Sequence, residues 1–236
     1  MEKYSDFMQR ICSFEVPLFG INEQNFVPSD SAKQKISLDR GFKEFYGDTV
    51  VFDLSDCAKA KVYDFVETLY AKVPYCFSQK LSKDTMHLTL HDLSNSPRLE
   101  SVSSQMDMNY LKIKSMADRK MISNGTIKMR SNYVINMVNT SVVMCFYPVD
   151  ENEYDKIMYL YSLMDEVISL PYPFTPHVTL AYFNPNGFDE ELAKELVECV
   201  NSLNRKSIEM TLTTDRLVYQ RFSSMNQYET FLTFIK

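Results

Sequence analysis

Apolar and polar residues along the chain follow a strand period, then a helix period, then a strand period, and later repeat the series. Asp48–Leu54 (DTVVFDL) is an apolar, β-branched run of strand length, and Ser55 and Asp56 behind it are both candidate helix N-caps. Val62, Phe65, Val66, Leu69 and Tyr70 recur at helical spacing, which predicts an amphipathic helix to about Ala71, with Pro74 as its stop. Met86–Leu93 (MHLTLHDL) then alternates, with Leu88 and Leu90 on one face and His87, Thr89 and His91 on the other.

Roughly ninety residues later the same order returns, so the chain carries an internal repeat. Ser141–Tyr147 (SVVMCFY) reads as a strand, Asp150 as an N-cap, and Ile157, Leu160, Tyr161, Met164 and Ile168 as a helical stripe ended by Pro171 and Pro173. His177–Phe183 (HVTLAYF) alternates again, with His177, Thr179 and Ala181 on one face and Val178, Leu180 and Tyr182 on the other. Each copy is followed by a helix, over Gln105–Met116 in the first and Asp189–Leu203 in the second. Further strands are expected over Thr126–Asn139, Ser207–Thr213, Arg216–Arg221 and Phe231–Ile235.

Two copies are too few for a solenoid, so the pattern predicts an α+β domain of two lobes related by a pseudo-twofold axis. Two antiparallel sheets would face a central cleft with helices outside. The whole chain, 1–236, forms this one domain: an N-terminal arm over 1–45, a first lobe with an insert over about 46–124, and a second lobe over about 125–236 that also supplies strands completing the sheets.

Composition narrows the partners. The 236 residues are 45% hydrophobic and 24% charged, ordinary values for a globular protein with a packed core. The formal charge of -6 provides no field for a long polyanion, which argues against binding to long DNA. Five cysteines, odd in number and never in a C-x-x-C pair, are expected to be reduced thiols. Glu2, Lys3, Asp6 and Arg10 interrupt the first residues where a secretory signal would be continuously apolar, and no stretch is long enough to span a bilayer. The expected setting is the cytoplasm, away from membranes. The sequence carries no mark of oligomeric state.

Chemistry is concentrated in the repeated strand. Of only three histidines, His87 and His177 stand at equivalent repeat positions, each two residues before a threonine. That spacing on a strand puts imidazole and hydroxyl on one face, about 7 Å apart along the chain, so both can grip one tetrahedral group. Imidazole titrates near neutrality, so a pair can hold a base and an acid at one pH, while Thr89 and Thr179 donate hydrogen bonds to phosphoryl oxygens. No metal-binding or Walker motif accompanies them. His91, on the same expected face, and Tyr172, in the Pro-Tyr-Pro turn before the second motif, are further possible substrate contacts. Tyr133 offers another ring able to stack on a base, whereas the alternation turns Tyr182 away from His177 and into the core.

His87-Leu88-Thr89-Leu90 and His177-Val178-Thr179-Leu180, the latter within Thr175-Pro176-His177-Val178-Thr179-Leu180-Ala181, resemble the paired H-x-T/S-x signatures of the two-histidine (2H) phosphoesterase superfamily. The likeness covers roughly Tyr46–Lys236. It implies a bilobal fold with one motif per lobe, and cleavage of a 2′,3′-cyclic phosphate or a 2′,5′ linkage without metal or cofactor. His87 and His177 would be acid and base, and Thr89 and Thr179 the phosphate donors. A nucleotide- or RNA-end-binding module that has lost catalysis is the alternative on the same fold. The arm over 1–43 and the stretch 92–124 exceed a compact member and are expected to shape the pocket or cover it. Basic residues beside the motifs are scarce, which favours a small nucleotide or an RNA terminus over a long RNA.

Overall fold

The fold is taken from a computed structural model, which describes residues 2–15, 21 and 25–235. The arm contributes α1 (Tyr4–Cys12) and α2 (Asp30–Lys35). The first repeat copy supplies β1 (Tyr46–Asp53), α3 (Asp56–Lys72) and β2 (His87–Ser96), and the insert supplies α4 (Ser103–Asp118). β3 (Thr126–Met137) precedes the second copy, which consists of β4 (Ser141–Pro148), α5 (Glu151–Asp165) and β5 (His177–Tyr182). The chain finishes with α6 (Glu190–Leu203), β6 (Glu209–Thr213), β7 (Leu217–Ser224) and β8 (Gln227–Thr233).

The strands form two four-stranded antiparallel sheets, ordered β2-β1-β7-β8 and β5-β4-β3-β6. The α+β class, the two sheets and the repeat are therefore as expected. The strands after the repeats divide between the sheets: β3 and β6 pair in the second, while β7 and β8 return to the first beside β1. In each sheet the His-x-Thr strand lies at the edge, and the two edges, β2 and β5, meet. The helices reinforce that seam by reaching across it. α3 packs on β5, and α5 packs on β2 as well as on its own strands β3 and β4.

The caps of α3 and α5 fall on side chains named from sequence, and α6 has a third at Asp189. Ser55 accepts from Ala58 N at 3.3 Å, Asp150 from Glu153 N at 2.9 Å and Asp189 from Leu192 N at 3.0 Å, each satisfying an otherwise orphaned donor of its helix. α5 ends at Asp165, well before Pro171, leaving an irregular approach to β5. The predicted stripes are buried: Val62, Val66 and Leu69 on α3, and Ile157, Leu160 and Met164 on α5, with Leu88, Val178 and Leu180 buried on the motif strands. Each such side chain is worth about 1.5–3 kcal/mol of burial. The insert is welded to the first sheet by a buried carboxylate. Asp48, 1% exposed, accepts from Ser94 N at 2.9 Å, Asn109 Nδ2 at 3.0 Å and the Tyr219 hydroxyl at 3.0 Å. Among the described residues, no helix is long and apolar enough to cross a membrane.

Candidate active site

Both motif strands contain a β-bulge at the same place. On β2, Thr89 pairs with Val51 and His91 with Val50, so Leu90 has no partner of its own. On β5, Thr179 pairs with Val143 and Ala181 with Val142, so Leu180 has none. An unpaired residue flips the alternation beyond it. His87, Thr89, His177 and Thr179 keep to the cleft face as expected, but the next positions exchange sides. Asp92 and Tyr182 turn into the cleft, while His91 and Ala181 turn into the core.

Two expectations are corrected by this. Tyr182, expected to turn away from the cleft and pack, is buried but forms part of the cleft wall, its hydroxyl donating to Met225 Sδ at 3.0 Å. His91 does not share a face with His87. Although it borders the cavity, its side chain is buried against the Tyr161 ring at 4.9 Å, with Nδ1 2.6 Å from Asp92 O and Nε2 3.5 Å from Asp165 Oδ1. Tyr172 lines the cleft mouth, half exposed, and Tyr133 on β3 is not part of the lining.

The cleft holds a cavity of about 610 Å³, lined by both histidines and both motif threonines. The two rings are anchored identically. His87 Nδ1 lies 2.8 Å from Thr85 O, and His177 Nδ1 lies 2.8 Å from Thr175 O. A backbone carbonyl can only accept, so each Nδ1 carries a proton and each ring keeps Nε2 as the nitrogen the backbone leaves free. The repeat therefore reads Thr-x-His-x-Thr in both halves, Thr85-Met86-His87-Leu88-Thr89 and Thr175-Pro176-His177-Val178-Thr179. The leading threonines were a signal in the sequence that the shorter motif passes over.

The anchoring loops are themselves held. Thr85 Oγ1 donates to Ser82 O at 2.8 Å, and the Asn226 side chain accepts from Ser82 N at 2.7 Å. On the other side Arg10 donates to Thr175 Oγ1 at 3.1 Å and Phe174 O at 2.8 Å, while Glu2 pairs with its guanidinium at 2.7 Å. Arg10 and Lys35, both from the arm, line the cleft, so two cations reach it that proximity to the motifs in sequence did not reveal.

The fold has a known counterpart. The chain is similar to the crystal structure of ATU0111, a conserved protein of unknown function from Agrobacterium tumefaciens, with a TM-score of 0.64 at 13% identity over 89% of this chain and 94% of that one. That likeness is one of fold. More distant similarity links it to TT0787 of Thermus thermophilus (TM-score 0.49, 14% identity, 79% of this chain and 95% of that one). E. coli LigT complexed with 3′-AMP is also similar (TM-score 0.43, 14% identity, 80% of this chain and 97% of that one). No family model matches the sequence, and no curated protein matches it.

Electrostatically His87 feels its own burial and the ring across the cleft. Burial, with a contribution from the charge of His177, pushes the His87 pKa down to about 4, against the pull of its Thr85 carbonyl. His87 is thus neutral at pH 7. Tyr228 stands edge-on to it with ring centroids 4.9 Å apart, and burial raises the Tyr228 hydroxyl well above its ordinary pKa. Tyr228 thus gives His87 an aromatic, uncharged neighbour, a setting in which one proton-accepting nitrogen is kept free.

Proposed function

We propose that the protein is a metal-independent phosphodiesterase that opens a 2′,3′-cyclic phosphate or cleaves a 2′,5′ linkage in a small nucleotide or at an RNA terminus. The observation that carries this reading is the paired anchoring. Two imidazoles held through Nδ1 at 2.8 Å present Nε2 to one cavity, each with a threonine hydroxyl two residues on. That is the arrangement in-line displacement at phosphorus needs, with a base on the entering side and an acid on the leaving side. The resemblance of the two motifs to the 2H phosphoesterases agrees with it.

In the proposed step, His87 Nε2 takes a proton from water as the water oxygen forms a bond to phosphorus. The bond from phosphorus to a ribose oxygen breaks, and His177, protonated, returns a proton to that oxygen. Thr89 and Thr179 donate hydrogen bonds to the non-bridging oxygens as their charge grows. His87 rests unprotonated, with its nitrogen available to accept a proton, since burial and the charge of His177 both disfavour its protonated form.

The test is turnover of 2′,3′-cyclic nucleotides and a 2′,5′-linked dinucleotide in the presence of EDTA, by wild type, His87→Ala and His177→Ala. Turnover that survives EDTA and is lost in both variants is expected. Activity that EDTA abolishes, or that either variant retains, would sink the two-histidine assignment. Binding of nucleotides with no turnover at all would favour a module that only binds.

A further inference from the structure

Lys35 reaches the cleft without an ion-pair partner. Its ammonium lies 5.1 Å from the centre of the Phe45 ring and 5.8 Å from that of Tyr182, bridging the two lobes. Among the described residues no carboxylate lies within ion-pair distance of it, in contrast to Arg10, whose charge Glu2 neutralises. Asp92, also in the cleft lining, attracts the ammonium only from beyond that distance. A half-buried cation set over two aromatic rings, with no carboxylate at ion-pair distance among the described residues, is costly to keep unless something supplies a close counter-charge.

The residue is held in place. α2 is capped by Ser29, whose hydroxyl pairs with Thr140 Oγ1 at 2.8 Å and whose N–H donates to Asn139 O at 2.9 Å, fastening the arm to the β3–β4 turn. Beyond Lys35, Ile36 is buried and bridges to Phe42, and Lys35 O accepts from Lys43 N at 2.9 Å. Further back, Phe26 and Phe188 exchange backbone hydrogen bonds and stack with centroids 4.5 Å apart. The cation is thus mounted before any ligand arrives, the condition under which one charged contact adds most to affinity. Its place in the cleft is distinct from that of the motif pairs. Tyr182 lies five residues along β5 from His177, and Phe45 directly precedes Tyr46, whose partner Ser96 lies nine residues along β2 from His87, so the ammonium addresses a part of the ligand other than the group between the histidines.

We propose that Lys35 is the counter-ion for a second phosphate of the ligand, so that the preferred substrate is a nucleotide carrying a phosphomonoester in addition to the scissile diester. This rests on the reading of the cleft as a nucleotide phosphodiester site. A terminal phosphate supplies up to two negative charges and three acceptor oxygens, which suits a single ammonium with rotatable donors.

The experiment compares binding of adenosine 3′-monophosphate and adenosine 3′,5′-bisphosphate by calorimetry. Wild type is expected to favour the bisphosphate by about tenfold or more, Lys35→Arg to keep that ratio, and Lys35→Met to reduce it to near unity. Thermal unfolding of the ligand-free protein supplies a second readout. If Lys35 is held in wait for an anion, Lys35→Met raises the midpoint, whereas if it only straps the arm to Phe45 and Tyr182 the midpoint falls. A ratio unchanged in Lys35→Met, a wild type that binds both ligands equally, or one that fails to bind the bisphosphate overturns the proposal. A Lys35-dependent preference in a protein that turns over no phosphodiester would overturn the catalytic reading and leave this one standing.

Discussion

The two halves of the cleft share their working parts but differ in the parts that hold them. His87 and His177 are anchored through the same nitrogen to the carbonyl two residues back, and each strand bulges just after its motif threonine. The supports have no such symmetry. The loop before His87 is tied down within the two-lobed body, by Asn226 of the β7–β8 turn and by Lys59 of α3, which donates to Asp84 O at 2.8 Å. The loop before His177 is tied down by Arg10 of the arm. After the bulge the first half presents the carboxylate of Asp92 and the second the phenol of Tyr182. The repeat thus preserves the geometry of the reacting nitrogens and leaves the surroundings free to diverge.

The sharpest way to break the symmetry is to remove either imidazole. His87→Ala and His177→Ala should each lower kcat/KM for a cyclic nucleotide by about 10²–10⁴-fold, and the double variant should be little worse than the single ones, since base and acid act in one step. Unequal losses would measure how far the halves have separated. Arg10→Ala should come next, with a fall of about tenfold in kcat and a smaller change in KM, because it lets the Thr175 loop drift while leaving the pocket intact. Arg10→Lys should recover only part of that loss, since one ammonium cannot reproduce the forked contact. Single-turnover and steady-state kinetics on the same substrate decide both.

A third difference is in acid sensitivity. His87 has its pKa depressed to about 4 in the folded protein, so the unfolded chain, with an ordinary imidazole near 6.5, binds more protons between those values. Stability should therefore rise with pH through that window and be lost as pH falls towards 4, by an amount on the order of 3 kcal/mol. His87→Gln should flatten that part of the curve, as read from urea midpoints at pH 4.5 and pH 7. An unchanged slope would mean the ring is better solvated than its surroundings suggest. The smallest effect concerns the arm. Gly187 has φ of +72°, and a Cβ there would meet Phe26 O at 2.3 Å, so Gly187→Ala should destabilise by about 1–3 kcal/mol, read from the same urea midpoints.

Much of this was legible in the chain. The repeat placed both motif pairs on cleft-facing strands, because hydrophobic alternation over His87–Leu90 and His177–Leu180 leaves only one face for the polar residues. Alternation failed at the bulges, where a strict period of two sends His91 to the cleft face and turns Tyr182 away from it, whereas His91 is buried off that face and the buried Tyr182 ring forms part of the cavity wall. Nothing in the leucines themselves marks the extra residue, since Leu90 and Leu180 are apolar and buried whether paired or not. The cations were missed for a different reason. Arg10 and Lys35 lie far from either histidine along the chain, and their approach is made by the arm's contacts with the body, through Tyr154 with Phe7 and Glu2 for Arg10 and through Phe26–Phe188 and Ser29–Thr140 for Lys35.

The return of β7 and β8 to the first sheet also sets an order of events during synthesis. β1 sits inside that sheet, with β2 on one side and β7 on the other, and Gly47 meets Phe222 across the second of those flanks. Until the segment from Leu217 onward has left the ribosome, one flank of β1 has no neighbour and the first lobe cannot close, although the β5-β4-β3-β6 sheet is already complete. A long-range pairing of this kind folds slowly and leaves an open strand edge in the nascent chain. The lobe encoded first is thus the one finished last, and a chaperone that shields the exposed flank of β1 would act in that interval.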